Sequence, residues 1–132
     1  MVYLLDTNIL IYFFKAAGAV RSRLGQQQDT SVTLCAPVLW ELLSGTLKSR
    51  EPQSQLARIE AVKERFSVLP FDLACAEQAA KVRAHLELQG TPIGPVDTMI
   101  AGIALANDLT VVTRNTREFS RVPGLRVENW YD

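Results

Sequence analysis

The chain has 132 residues, of which 48% are hydrophobic and 21% charged, and its 14 Lys and Arg balance its 14 Asp and Glu. This length suits one domain with a single core, and the hydrophobic fraction excludes an intrinsically disordered chain. A net charge of zero argues against a protein that binds nucleic acid through a basic surface over the whole molecule. Any attraction for nucleic acid must therefore come from locally placed charge.

Short β-rich runs alternate with longer helical segments along the chain. The predicted strands are the apolar runs 2–5, 32–35, 68–71 and 110–113, with a possible edge strand at 126–128. The predicted helices span 9–14, 19–28, 37–47, 51–66, 72–89 and 96–107. This alternation predicts a single α/β domain over 1–132, with three α/β/α layers and a mainly parallel central sheet of four to five strands.

The amino-terminal segment has no basic stretch, and Asp6 and Asn8 interrupt its apolar run. We therefore expect neither a signal peptide nor a membrane span, and we expect a cytoplasmic protein. Cys35 and Cys75 lie far apart among apolar neighbours, which is typical of buried free thiols, and the lone His85 offers no zinc site.

Three acidic residues lie where a parallel α/β sheet binds its ligands, outside the carboxyl ends of the strands. Asp6 follows the first predicted strand, Glu41 lies one turn into the helix after the second, and Asp97 begins the helix before the fourth. Asp6 and Asp97 are also candidate N-caps, since a carboxylate accepts hydrogen bonds from free helix N–H groups. Glu41 has apolar neighbours and no Lys or Arg one turn away, so its partner must come from elsewhere in the fold or be a cation.

Bringing three carboxylates together requires positive charge. Two like charges about 4 Å apart repel by roughly 4 kcal/mol at an effective dielectric constant of about 20. Oxygen ligands of this kind suit Mg²⁺, and Mn²⁺ can substitute for it. The chemistry that such a site predicts is metal-assisted hydrolysis of a phosphodiester.

The chain resembles the PIN-domain ribonucleases and, among them, the VapC toxins of bacterial VapBC toxin–antitoxin systems. The matching segments are Leu-Leu-Asp-Thr-Asn at 4–8, Glu41 in its helix, 90–97, 109–119 and 123–130. The Asp-Thr-Asn run alone would be weak evidence, whereas the ordered set across nearly the whole chain is specific. The resemblance implies a PIN fold and Mg²⁺-dependent cleavage of RNA.

The resemblance also assigns roles to residues. Asp6 and Asp97 match the two metal-binding aspartates of the family, and Glu41 matches its second acidic position, which completes the metal site or helps to activate water. Asn8 and Thr7 follow Asp6 as in the family, where they position the first carboxylate and the strand-to-helix turn. Asn8 is also expected to line the substrate pocket, together with Thr113 at the end of the fourth predicted strand.

The fourth acidic position of many PIN domains corresponds here to Asn115, which carries no charge. Glu118, one turn further along, is the candidate substitute, and the alternative is that it is a surface residue. Both are therefore candidate catalytic residues, and the choice between one and two metal ions stays open.

Partners follow from the same resemblance. Related enteric toxins cut the anticodon loop of initiator tRNA, so tRNA is the first expectation for the substrate. Members of the family form homodimers and are held inactive by a VapB-type antitoxin. The resulting hetero-oligomer binds operator DNA through the antitoxin only.

The segment 9–14 is apolar over more than a full helical turn, so it presents more apolar surface than a sheet can cover. We expect Ile11, Tyr12 and Phe13, with Trp40 on a neighbouring helix, to form the antitoxin interface. An antitoxin helix between these helices would place an Arg or Lys on the carboxylates. The alternative is a helix that its own chain buries on both sides.

Arg114 and Arg117 flank Asn115 directly after the fourth predicted strand. The planar fork of arginine binds two phosphate oxygens at once, so we expect at least one of the two to contact RNA phosphate. The alternative is a solvated loop.

Other classes of protein also place an Asp at the end of a strand. A phosphotransfer or receiver domain needs a carboxylate two residues after that Asp or an acidic pair before it, and the chain has Asn8 and two leucines there. A glycine-rich nucleotide-binding motif does not occur. The remaining alternative to an enzyme is a catalytically weak PIN-like module that acts through protein contacts.

Overall fold

A computed structural model describes residues 2–132 of the chain as alternating strands and helices. The strands are β1 (Tyr3–Leu5), β2 (Val32–Cys35), β3 (Ser67–Leu69), β4 (Thr110–Val112) and β5 (Arg126–Glu128). The α-helices are α1 (Thr7–Lys15), α2 (Val20–Gly25), α3 (Ala36–Leu47), α4 (Pro52–Arg65), α5 (Leu73–Leu88), α6 (Pro95–Asn107) and α7 (Thr116–Phe119). A short 3₁₀ turn at Asp29–Ser31 leads into β2.

The five strands form one sheet in the order β3-β2-β1-β4-β5, and every neighbouring pair is parallel. In the β1–β4 pair, Tyr3 is opposite Thr110 and Leu5 is opposite Val112. The chain runs outward from β1 to β3 and then returns to β4 on the other side of β1. This reversal opens a crevice at the carboxyl ends of β1 and β4, which is where α/β sheets bind ligands. The predicted fold class is confirmed.

The core lies on both faces of this sheet. All four residues of β2 are buried, and so are Leu4 and Leu5 of β1. Phe119 and Trp130 are the largest fully buried side chains, and the Trp130 ring meets Tyr3 edge-on at 4.9 Å. Burying a side chain such as that of Phe119 stabilises the fold by about 1.5–3 kcal/mol. Contacts of this kind hold the strands of the sheet in fixed positions relative to one another.

The element boundaries differ from the predicted ones in a few places. The third strand spans Ser67–Leu69 and not 68–71, because Pro70 has no N–H to donate to the sheet. The second helix ends at Gly25, before its predicted end at 28. Helix α7 was not predicted, since four residues are too few to show a helical period.

Cys35 and Cys75 are buried free thiols, as predicted, and His85 is exposed. In the described range, 2–132, none of the helices combines the length and the hydropathy needed to span a membrane.

Candidate active site

Asp6 lies in the crevice, at the point where β1 ends and α1 begins. Its side chain is 4% exposed and accepts two hydrogen bonds of 2.7 Å, from the Thr7 backbone N–H at Oδ1 and from the Thr113 hydroxyl at Oδ2. Burial raises the pKa of Asp6 above its ordinary value, although these two bonds oppose the shift. Asp6 is therefore a helix cap, as predicted, and also a buried acid with one face toward the crevice.

Glu41 projects from α3, the helix that follows β2. Its Oε1 accepts a 2.6 Å hydrogen bond from the Thr7 hydroxyl, which lies 34 positions earlier in the chain. The sequence predicts a partner for Glu41 from elsewhere in the fold, and this partner is the neutral hydroxyl of Thr7. No Lys or Arg of residues 2–132 forms an ion pair with Glu41. Thr7 links Asp6 and Glu41 through its backbone and its side chain.

Asp97 lies in the first turn of α6. The alternative that Asp97 is the N-cap of this helix is wrong, because Gly94 is the N-cap and Pro95 opens the helix two residues before Asp97. Burial raises the pKa of Asp97 to about 7, and the negative charges of Asp6, Glu118 and Glu41 add to the shift. No Lys or Arg of residues 2–132 forms an ion pair with this carboxylate.

Asn115 and Glu118 both belong to this site. The Asn115 side-chain amide donates to Glu118 Oε2 at 2.9 Å and to Asp97 Oδ2 at 3.4 Å. A neutral donor between two carboxylates reduces their repulsion without adding charge. The choice between these two residues for the fourth polar position is therefore not exclusive, since the structure places both beside Asp97.

Within the described range, the four acids are close enough to influence one another but do not form a closed cage. Among residues 2–132, no group of three or more His, Cys, Asp or Glu side chains is arranged to hold a metal ion. Asp6, Glu41 and Glu118 each bond to a protein donor instead. None of the four is ion-paired with a Lys or Arg of that range. Unpaired oxygen ligands of this kind fit Mg²⁺, which binds through one or two carboxylates and keeps several waters.

Thr113 and Asn8 hold this arrangement in place. Thr113 is fully buried, and its hydroxyl donates to Asp6 while accepting from the Asn115 backbone N–H at 2.9 Å. The Asn8 amide donates to the same hydroxyl at 3.5 Å, and its oxygen accepts from the Arg114 backbone N–H at 3.3 Å. Thr113, predicted to bind substrate, thus faces Asp6 and positions it, because its side chain has no exposed surface.

The two predicted phosphate-binding arginines are both exposed, directly after β4. Arg114 stacks on the ring of Tyr131, whereas Arg117 lies on the outer surface of α7. The local positive charge expected from the sequence is therefore present at this edge of the sheet.

Some apolar residues of α1 line a groove beside α3 and α4, and Tyr12 packs instead against Tyr131, near the carboxyl terminus. Ile11, 36% exposed, and Phe14 line a groove of about 180 Å³ between α1, α3 and α4, with Thr7 and Glu41 also among its lining residues. Tyr12 contacts Tyr131 and Phe13 contacts Phe14. Trp40 is 60% exposed and does not line this groove. Of the four predicted interface residues, only Ile11 therefore faces the groove.

A larger cleft of about 570 Å³ lies between α5 and the beginning of α6, lined by residues such as Phe71, Ala80 and Met99. None of the four site carboxylates lines it, so volume alone does not locate the chemistry here.

Thr7 positions the first carboxylate, as the resemblance implied, but sequence reasoning missed its bond to Glu41 and the part that Tyr131 plays beside Arg114. The Asp-Thr-Asn run contained the signal for Thr7, because a hydroxyl directly after a capping Asp can reach a second carboxylate. Nothing in the linear sequence pointed to Tyr131, since its contact with Arg114 depends on how the last residues fold back over α1.

Comparison with known proteins agrees with this geometry. The PIN domain family model matches residues 3–125. The chain is 45% identical, over 97% of its own length and 97% of the relative's, to a protein of Shigella flexneri named tRNA(fMet)-specific endonuclease VapC. The chain belongs to the VapC group of the PIN-domain family. A Salmonella typhimurium relative with the same name is 40% identical to this PIN domain over 97% of each chain.

Solved structures give the same result. This PIN domain superposes with a TM-score of 0.91 on a chain of DNA-bound VapBC from Salmonella typhimurium, with 37% identity over 98% of each chain. The TM-score is also 0.91 for VapBC2 of Rickettsia felis bound to a promoter DNA fragment, at 32% identity over 98% of this chain and 99% of that one. The resemblance predicted from the sequence is confirmed.

Proposed function

We propose that this PIN domain is the toxin of a type II toxin–antitoxin system and a metal-dependent endoribonuclease. The observation that carries the proposal is the group of acids Asp6, Glu41 and Asp97 at the crevice between β1 and β4, unpaired with Lys or Arg in residues 2–132. The Shigella and Salmonella relatives, both named as endonucleases, support the same activity.

We assign Asp6 and Asp97 as the residues that hold Mg²⁺ or Mn²⁺, with Glu41 completing the site or activating water. When bound, the ion would supply a water of lowered pKa and would offset negative charge on the leaving oxygen. The chain itself orients the acids, because the hydroxyls of Thr113 and Thr7 fix Asp6 and Glu41.

For the substrate we propose tRNA, with the anticodon loop of initiator tRNA as the first candidate. The basis is similarity to two relatives whose names specify tRNA(fMet), at 45% and 40% identity. Exposed Arg114 and Arg117 beside the acids are suited to the phosphates of the RNA backbone.

Cleavage of purified initiator tRNA tests this function. We expect cleavage in Mg²⁺ and none in EDTA. Asp6→Ala and Asp97→Ala should each lose more activity than the roughly 10- to 100-fold typical of a lost outer-shell partner. Glu77→Ala, an exposed acid on α5, is the matched control and should retain full activity. Equal cleavage by all four proteins would identify a contaminating nuclease and would refute the proposal.

The alternative function is a catalytically weak PIN-like module that acts through protein contacts. Its support is the observation that no three acidic, His or Cys side chains of residues 2–132 are arranged to hold a metal ion. The same assay separates the two functions, because a binding module would leave initiator tRNA intact in Mg²⁺ while still binding its partner.

The partner we propose is a VapB-type antitoxin with a helix in the groove between α1, α3 and α4. The groove is lined by apolar residues such as Ile11 and Phe14, and its charged lining residues are Glu41, Lys15 and Arg58. An apolar partner helix would pack on the first two, and an Arg or Lys of the partner would meet a carboxylate at the Glu41 end of the groove. The solved relatives crystallised as VapBC complexes, some with DNA, support such a partner. We further propose a toxin homodimer within this complex, with operator DNA bound through the antitoxin.

Binding measurements with the antitoxin test the groove. Ile11→Asp with Phe14→Ser should weaken the affinity about tenfold or more, since apolar anchors dominate such interfaces. Tyr12→Ser with Phe13→Ser tests the interface predicted from the sequence. Leu88→Ser is the matched control, because Leu88 is 87% exposed at the end of α5 and outside the groove. Unchanged affinity and unchanged oligomeric state in both double variants would refute the α1 interface.

A further inference from the structure

The guanidinium group of Arg114 lies against two tyrosines beside the acidic site. Its Cζ stands 3.6 Å from the centroid of the Tyr131 ring and 5.5 Å from that of the Tyr12 ring. Its Nη1 donates a 3.2 Å hydrogen bond to the Tyr12 hydroxyl, and the two rings contact each other at 4.6 Å. An exposed arginine that would otherwise sample many rotamers is therefore held in one.

Tyr131 is in turn fixed by the turn that connects α1 to α2. Its carbonyl accepts a 2.9 Å hydrogen bond from the Ala19 N–H, and its own N–H donates to Asn129 Oδ1 at 2.8 Å. Gly18 makes the close approach possible, because it has a φ of 62° and a Cβ there would lie 2.7 Å from the Tyr131 ring. The Tyr131 ring is therefore packed against Arg114, Tyr12 and Gly18. It holds Arg114 in place and is not free to stack on a nucleic-acid base.

The backbone of Arg114 is hydrogen-bonded to a residue of the acidic site, while its side chain stacks on Tyr131. Its N–H donates to Asn8 Oδ1, and the preceding residue, Thr113, donates to Asp6. Stacking uses the face of the guanidinium plane and leaves its edge free. Of the five N–H donors that arginine carries, about four remain available, since only one is given to Tyr12.

We propose that Tyr131 is a positioning residue for RNA: with Tyr12 it fixes Arg114 as a preformed site for a phosphate of the RNA backbone. The inference rests on the ribonuclease function proposed above. A fixed cation at this place matters because the neighbouring carboxylates repel RNA, and a preorganised arginine loses less side-chain freedom when the phosphate binds.

A double-mutant cycle on RNA binding tests the inference without turnover. In an Asp6→Asn background, fluorescence anisotropy would measure the affinity for a labelled initiator-tRNA anticodon stem–loop. Tyr131→Ala and Arg114→Ala should each weaken binding by about three- to tenfold, and the double variant should be no weaker than Arg114→Ala alone. Tyr131→Phe keeps the ring and should match the parent. Arg114→Ala should also reduce the salt slope by about 0.7.

Additive losses in the double variant, or unchanged binding by Tyr131→Ala, would overturn the inference. A thermal unfolding curve accompanies each protein, and Tyr131→Leu replaces Tyr131→Ala if the latter unfolds. If Tyr131→Ala weakens antitoxin binding and leaves RNA binding intact, the cluster belongs to the protein partner and the inference also fails. Absence of tRNA cleavage by the parent chain, with the coupling intact, would refute the nuclease function alone.

Discussion

The hydroxyl of Thr113 donates a 2.7 Å hydrogen bond to Oδ2 of Asp6, across 107 positions of the chain. The bond joins the end of β4 to the end of β1, the two strands on either side of the crevice. It fixes the direction of the one acid that is almost completely buried, and it opposes the rise in the pKa of Asp6 that burial causes.

Replacing Thr113 by Val tests this bond. The substitution keeps the shape and removes the hydroxyl, so Asp6 loses a buried donor and the free energy of unfolding should fall by about 1–3 kcal/mol. Cleavage should fall as well, because the Asp6 carboxylate is then held only by the bond from the Thr7 backbone N–H. Thr113→Ser retains the donor and should keep most of the activity. Chemical denaturation measures the free energy of unfolding, and initial rates measure cleavage. If Thr113→Val and Thr113→Ser had the same stability and the same rate, the hydroxyl would contribute to neither.

From the raised pKa of Asp97 we expect the free energy of unfolding of the metal-free protein to depend on pH. Its pKa is about 7 in the folded chain against an ordinary value of 3.8, so between these values the folded state holds a proton that the unfolded state has released. Stability should therefore fall as the pH rises from about 4 to about 7, by an amount on the order of 1 kcal/mol because water at this half-buried group screens its neighbours.

Unfolding curves at several pH values in EDTA measure this effect, and Asp97→Asn should remove most of it. Buried Asp6 contributes a further part in the same direction, which persists in that variant. Since metal binds the deprotonated carboxylate, Mg²⁺ affinity should rise through pH 7, and Mg²⁺ should stabilise the protein most at high pH. A stability that increases from pH 4 to pH 7 in EDTA would contradict this assignment.

The contact between α5 and α6 predicts unequal effects of two glycine substitutions. A Cβ on Gly102 would lie 2.7 Å from Ala79 Cβ and from the Cys75 carbonyl oxygen, so Gly102→Ala should cost about 1–3 kcal/mol. Gly45, within α3, has nothing within 4 Å of such a Cβ, and Gly45→Ala should stabilise by up to about 1 kcal/mol. Thermal unfolding of both variants would show a lower and a higher midpoint, respectively. Two shifts of the same sign would contradict the packing described.

Exposed Arg114 and Arg117 should contribute to the salt dependence of RNA binding. Replacing both Arg114 and Arg117 by Ala should lower the affinity and reduce the slope of log K against log salt by between about 0.7 and 1.4, depending on whether one or both neutralise a phosphate. The matched control is Arg65→Ala with Arg83→Ala, two exposed arginines on α4 and α5 that lie outside the groove with Glu41. An unchanged slope in the Arg114 and Arg117 variant would leave these residues as parts of a solvated loop.

The fold was predictable because short apolar runs and helical periods alternate clearly along the chain. The three carboxylates were predictable for a related reason, since each stands at a recognisable position after a strand or at the start of a helix. Long-range pairing was not predictable. Neither the Thr7–Glu41 bond nor the stacking of Arg114 on Tyr131 shows in the periodicity of the sequence, because each depends on which distant segments meet after folding.

The place of β1 also has a consequence for how the protein is made. During synthesis β1 and Asp6 leave the ribosome before β4 and Thr113, which complete their surroundings and follow more than a hundred residues later. Parallel pairing over such distances is slow, because the intervening loop must close before the contact forms. An unfinished chain therefore carries Asp6 without its partner, and the growing polypeptide cannot assemble this acidic site until its final strands have emerged and folded.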